Sequence, residues 1–222
     1  MEKYTIYANE SWCNNKSNTE RDRCLSHDTL SFYHEDYIGG KGYHNERGRI
    51  ENLICTLKND ITPYPDAILT DAIKRLASIL FMDLPEILKQ SGMSSLRVCV
   101  IPRAKHEEYY TAKQKLFRST IQFVVNQVSG LSDGTSDITR HTDTQTTHLA
   151  RRGNGGLGSL PYAGITLDTC AISDNVKGQN ILLIDDLYTK TVNIDEDCIQ
   201  ALYEKGAKNV LFYSIGKTVR SF

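Results

Sequence analysis

The chain has 222 residues and a formal net charge of −1, set by 26 Lys and Arg against 27 Asp and Glu. That length suits one good-sized core, and the charge balance gives no whole-chain field to draw it to nucleic acid or an anionic membrane. No apolar run approaches the ~20 residues of a membrane span, and no apolar signal-peptide stretch follows Met1-Glu2-Lys3-Tyr4.

Residues 1–46 read as an irregular N-terminal arm or cap, polar and without clear periodicity up to residue 28, with strand composition at Thr29–His34 and a Gly39-Gly40-Lys41-Gly42 turn. Six cysteines in a chain this long are not a disulfide framework, so a reduced, cytoplasmic protein is expected. Cys13, Cys24 and His27, with His34 nearby, offer one close pair, Cys24-x-x-His27. Structural zinc sites use paired ligands, so unpaired thiols are the preferred reading and metal binding there is left open.

Ile50, Leu53, Ile54 and Leu57 follow helical spacing. After Pro63 and Pro65, Asp66 is placed to cap a helix lined by Leu69, Ala72, Ile73, Leu76 and Leu80. A second helical segment is predicted after Pro85, ending at Gly92. Leu96–Ile101 is the first core strand. A helix carrying Phe117, Ile121, Val124, Val125 and Val128 follows, ending at Gly130.

Residues 131–160 hold little that packs, and four glycines between 153 and 158 predict a flexible segment. Asn180–Ile184 and Asn209–Ile215 are near-continuous apolar runs, as in parallel strands covered on both faces. A helix over 194–205 joins them, with Ile194, Cys198, Ala201 and Leu202 inside. The expected class is α/β, a mostly parallel sheet with helices on both faces.

The loop Asp185–Asn193 then falls at a strand's carboxyl end, where open α/β sheets bind ligands. Backbone N–H groups at such a turn, with the helix dipole behind them, bind an anion. Adjacent carboxylates at Asp185 and Asp186 accept hydrogen bonds from neighbouring sugar hydroxyls or hold a hydrated Mg²⁺. Together these describe a site for a ribose 5-phosphate.

The segment Ile181–Asn193 resembles the binding loop for 5-phosphoribosyl 1-pyrophosphate (PRPP) in type I phosphoribosyltransferases: four apolar residues, two acidic residues, then a Thr-rich turn. Wider likeness to the ComF-like branch runs from about Arg49 to Thr218. It includes Leu57-Lys58 ending an early helix, Val100-Ile101-Pro102 before Arg103-Ala104-Lys105, Arg140 through Gln145 to Asn154, and Val176–Gln179. Residues 47–222 would then be a phosphoribosyltransferase-like domain under a flexible hood and an N-terminal cap.

The resemblance implies a PRPP-binding enzyme that uses Mg²⁺ and transfers the ribosyl phosphate group to an acceptor the sequence does not name. Asp185 and Asp186 would grip the ribose hydroxyls and the Mg²⁺, directly or through water. Arg103 and Lys105, with Ala104 in the same loop, would stabilise the leaving pyrophosphate. Leu187, Tyr188, Thr189, Lys190, Thr191, Val192 and Asn193 would hold the 5-phosphate. Gln145 and Arg151 would belong to the hood. The loop departs from the family pattern at Thr191, where glycine is usual, and the branch's paired-cysteine finger is absent.

Two other readings stay open: a non-catalytic module that senses PRPP or a nucleotide and regulates a partner protein, and a hydrolase of ribosyl bonds. Homo-oligomerisation is also left open. The blander alternative is that Asp185 and Asp186 only cap the following helix, and that Arg103 and Lys105 are surface charges.

Overall fold

The computed structural model describes residues 1–8, 25–40, 42–61, 63–144, 165–190 and 193–219. Strands β1 (Glu2–Ile6) and β2 (Thr29–Ile38) lead into helices α1 (Ile50–Lys58) and α2 (Asp66–Ser91). Strand β3 (Leu96–Val100), helix α3 (Leu116–Val125) and strand β4 (Leu131–Asp133) follow, then β5 (Ile138–Arg140) and β6 (Cys170–Ile172). Strand β7 (Asn180–Tyr188), helix α4 (Ile194–Glu204) and strand β8 (Asn209–Val219) complete the described elements.

The main sheet has the order β1-β2-β8-β7-β3-β4. Only β1 runs antiparallel to its neighbour, while the β2–β8, β8–β7, β7–β3 and β3–β4 pairs are parallel. The mostly parallel α/β sheet read from the apolar runs is therefore present. Strand alternation sorts the two cores. Val98, Val100, Leu182, Ile184, Leu211 and Tyr213 face α1, α2 and α3. Cys99, Ile181, Leu183, Val210 and Phe212 face α4 and the β5–β6 hairpin, where Cys198 and Leu202 also pack.

The strand read at Thr29–His34 is present within β2, and residues 2–6, read as irregular arm, join the same sheet as β1. Each is half-exposed along much of its length, so neither carries the apolar run that marks a central strand. Helix α2 is continuous through Pro85 rather than divided there. Proline removes one N–H and crowds the carbonyl four residues earlier. Here both Pro85 and Phe81 are exposed, so water can serve that carbonyl. Residues 131–144, expected to be structureless, form β4, β5 and ordered turns, whereas the hood candidates Gln145 and Arg151 lie outside the described residues. Among the described residues no helix is long and apolar enough to cross a membrane.

Candidate functional site

The chain leaves β3 through α3 to β4 on one side, and later returns to β3's other side as β7. The loops after β3 and β7 therefore diverge, opening a crevice at the carboxyl ends of these two strands. This is the switch point at which doubly wound sheets bind ligands. Ile101 N–H still donates to Ile184 O at 3.0 Å, so the strands part just beyond that bond.

Strand β7 runs on through the acidic pair to Tyr188, with Asp185 opposite Ser214 and Leu187 opposite Gly216. The predicted loop Asp185–Asn193 is correspondingly shorter, beginning at Thr189. Because neighbouring residues of a strand face opposite ways, the two carboxylates separate. Asp186 reaches the end of α1, where its Oδ1 lies 3.1 Å from Lys58 Nζ. Asp185 points to the start of α4 and interacts with the Asp195 carboxyl there.

Two interacting buried carboxyl groups disfavour carrying two charges at once. Burial, then the neighbouring Asp186 charge, pushes Asp185 up to about 7, although Lys58 pulls the other way. Burial and the charges of Asp185 and Glu196 also raise Asp195 well above the ordinary carboxylate range. For Lys58, burial opposes its charge, but Asp186 and Asp185 outweigh it and hold the ammonium above the usual lysine value.

Asp186 is paired with an ammonium, and Asp185 faces Asp195 on the other side of the sheet. Among the described residues no group of three or more His, Cys, Asp or Glu gathers to hold a metal ion.

Across the crevice, Arg103 donates through Nη1 to the carbonyls of Lys58 at 3.0 Å and Gln114 at 2.9 Å, and through Nη2 to Asp60. Its guanidinium lies over the Tyr110 ring, 4.3 Å from the centroid. Lys105 N–H donates to Tyr110 Oη at 3.0 Å, and His106 N–H to Asp143 Oδ1 at 2.9 Å. Ala104 O accepts from Thr144 N at 2.8 Å. The buried Arg140 donates through Nε to Arg103 O at 2.7 Å. The strand-end loop of Arg103, Ala104 and Lys105 is thus braced by the chain leading into the expected hood.

On the α4 side, Leu187 packs against the α1–α3 core while Tyr188 is buried in the other, its hydroxyl on Glu196 Oε1. Thr189 and Thr218 hydroxyls meet at 2.8 Å. Lys190 is exposed. Thr191 and Val192 lie outside the described residues. Asn193 precedes α4 in the left-handed region, φ 65°, with its Oδ1 buried and lacking a hydrogen-bond partner. Asp195, Glu196 and Asp197, all buried, occupy the first turn of the helix.

Lys58 and Asp195 escaped the reading of the sequence as site residues. An acidic first turn reads as complement to the helix dipole, and a lysine ending an amphipathic helix reads as its solvated tip. Of the zinc candidates, Cys13 and Cys24 lie outside the described residues. His27 stacks on Tyr203 at 4.7 Å, and His34 Nδ1 lies 2.9 Å from Asp83.

No family model matches the chain, and no curated protein matches it at a significant level.

Proposed function

We propose that this chain binds a ribose 5-phosphate ligand of the PRPP kind in the β3–β7 crevice, and acts on it as a type I phosphoribosyltransferase, transferring the ribosyl phosphate group. The observation carrying this reading is the position of the acidic pair. Asp185 and Asp186 lie near the carboxyl end of a central parallel strand at the switch point, opposite the braced loop of Arg103, Ala104 and Lys105. The mostly parallel α/β sheet also supports this reading.

In this reading the sugar hydroxyls add to the partners now holding each carboxylate. Asp186 accepts a hydroxyl while keeping Lys58, and Asp185 accepts one while keeping Asp195. The loop from Thr189 to Asn193 and the start of α4 enclose the 5-phosphate, with the Lys190 charge at its mouth. Rate enhancement comes from positioning the ribosyl centre and screening the departing pyrophosphate. A bound Mg²⁺, held by Asp185 and Asp186 directly or through water, would help neutralise the departing pyrophosphate.

A second reading is favoured by one specific observation, the commitment of the Arg103 guanidinium to Asp60 and two carbonyls. An arginine so engaged supports a module that binds PRPP or a nucleotide without turning it over, for a partner protein to read. Calorimetry with PRPP and Mg²⁺, followed by product analysis with and without nucleobases, decides. Binding with base-dependent pyrophosphate release is the expected result. Binding without turnover selects the sensing module, release without a base selects the hydrolase, and no binding removes all three.

A further inference from the structure

An anion entering this crevice meets two carboxylates, so a cation must stand beside them. Lys58 is there. It is the last residue of α1, and Asn59 follows in the left-handed region at φ 49°, which ends the helix at this point. The backbone is pinned as well: the Lys58 carbonyl accepts from Arg103 Nη1 at 3.0 Å, and Asp60 takes the same guanidinium. Arg103 therefore fixes the end of α1 against the loop after β3 and leaves the Lys58 side chain to reach Asp186 at 3.1 Å.

The two cations differ in what they can still do. A guanidinium bound to a carboxylate and two carbonyls is spent in one rigid plane. An ammonium carries three donors on a flexible four-carbon stem. With one donor on Asp186, Lys58 can offer another to a phosphate oxygen without giving up its ion pair. The side chains of Lys58 and Asp186 are 27% and 20% exposed, so the pair is open to an entering ligand.

We infer that Lys58 is the ligand-contacting cation of this site, donating to a phosphate or pyrophosphate oxygen while it remains paired with Asp186. This rests on the ribose-phosphate reading above and moves the principal anion contact from Arg103 to the end of α1.

The test uses the full chain, with PRPP and Mg²⁺ or ribose 5-phosphate as probes. Calorimetry compares the parent with Lys58→Met and Lys58→Arg. Lys58→Met should weaken both probes about tenfold or more, the scale of a lost hydrogen bond to a charged group. It should also flatten the salt dependence of binding, and Lys58→Arg should restore most of both. Independently of any variant, ribose 5-phosphate should protect Lys58 of the parent from acylation. Lys89, near the end of α2 and away from the crevice, is the internal reference. Equal affinity in folded Lys58→Met overturns the inference and leaves the ribose-phosphate reading standing. If that variant does not fold, unchanged acylation of Lys58 in the liganded parent does the same. A parent that binds neither probe overturns both.

Discussion

Tyr188 donates its hydroxyl to Glu196 Oε1 across 2.8 Å, tying the last residue of β7 to the first turn of α4. Both side chains are buried. Tyr188 also sits among Tyr4 and Phe212, with ring centroids 5.5 and 5.7 Å away. The residue therefore fastens the end of β7 to the start of α4. Tyr188→Phe should keep the packing and remove the donor, lowering unfolding free energy by about 1–2 kcal/mol. Urea melts of the two proteins measure this. A change within 0.3 kcal/mol would show that water or another donor replaces the hydroxyl.

Asp185→Asn should stabilise the folded chain at neutral pH. A carboxyl raised to about 7 from its ordinary 3.8 is favoured in the folded state only while protonated. Its contribution is complete below the unfolded value and is lost as pH rises from about 4 to 7. Asparagine removes that loss. The variant should exceed the parent by about 1–3 kcal/mol at pH 8, and the difference should vanish by pH 4. Chemical denaturation across that range gives the result. A variant less stable than the parent at pH 8 would mean that the Asp185 carboxylate is well solvated when folded.

Asp186→Asn should act in the opposite sense. It strips Lys58 of its ion pair, so stability should fall by about 1 kcal/mol, a partly exposed pair being screened by water. The folded-state value of Lys58 is raised. Its stabilising contribution is thus fully present below the ordinary lysine value of ~10.4 and lost as pH climbs through the higher folded value. Removing Asp186 also relieves Asp185, so the gap changes up to about pH 7, should hold from pH 8 to about pH 10, and should narrow above that. A gap that stays constant through the lysine titration would exclude Lys58 as its source. Ribose 5-phosphate affinity should fall about tenfold at neutral pH.

Asn193 takes the left-handed backbone that the family pattern leads one to seek at Thr191. Asparagine tolerates that region better than other side-chain-bearing residues, and glycine enters it without strain. Asn193→Gly should therefore be neutral or stabilising, since it also deletes a buried oxygen with no hydrogen-bond partner. Asn193→Ala should cost about 1 kcal/mol through the strained φ. Thermal melts that rank alanine above glycine would show that α4 begins with another geometry in solution.

The central strands were legible because their residues are apolar on both sides. Ile181 to Ile184 and Val210 to Phe212 serve two cores at once, which no surface strand does. Helix α4 was legible from Cys198, Ala201 and Leu202. Strand β1 was not, because only Ile6 is buried and its identity depends on pairing with Thr29 to Tyr33. The acidic pair was legible as a site candidate from its place at a strand end. Its division between Lys58 and Asp195 was not, for it depends on β7 continuing to Tyr188 and on two helix ends more than a hundred residues apart in the chain. The commitment of Arg103 to Asp60 was hidden for the same reason: the partner lies 43 positions upstream.

The division of the acidic pair has a mechanical consequence. Asp186 belongs to the layer built from α1, α2 and α3, and Asp185 to the layer that includes α4. Between those layers stands the sheet. A single small molecule engaging both carboxylates would work as a clasp, drawing the end of one helix and the start of another toward a common point. Its occupancy would then be felt on the two broad faces of the molecule together, including surfaces that no ligand atom touches.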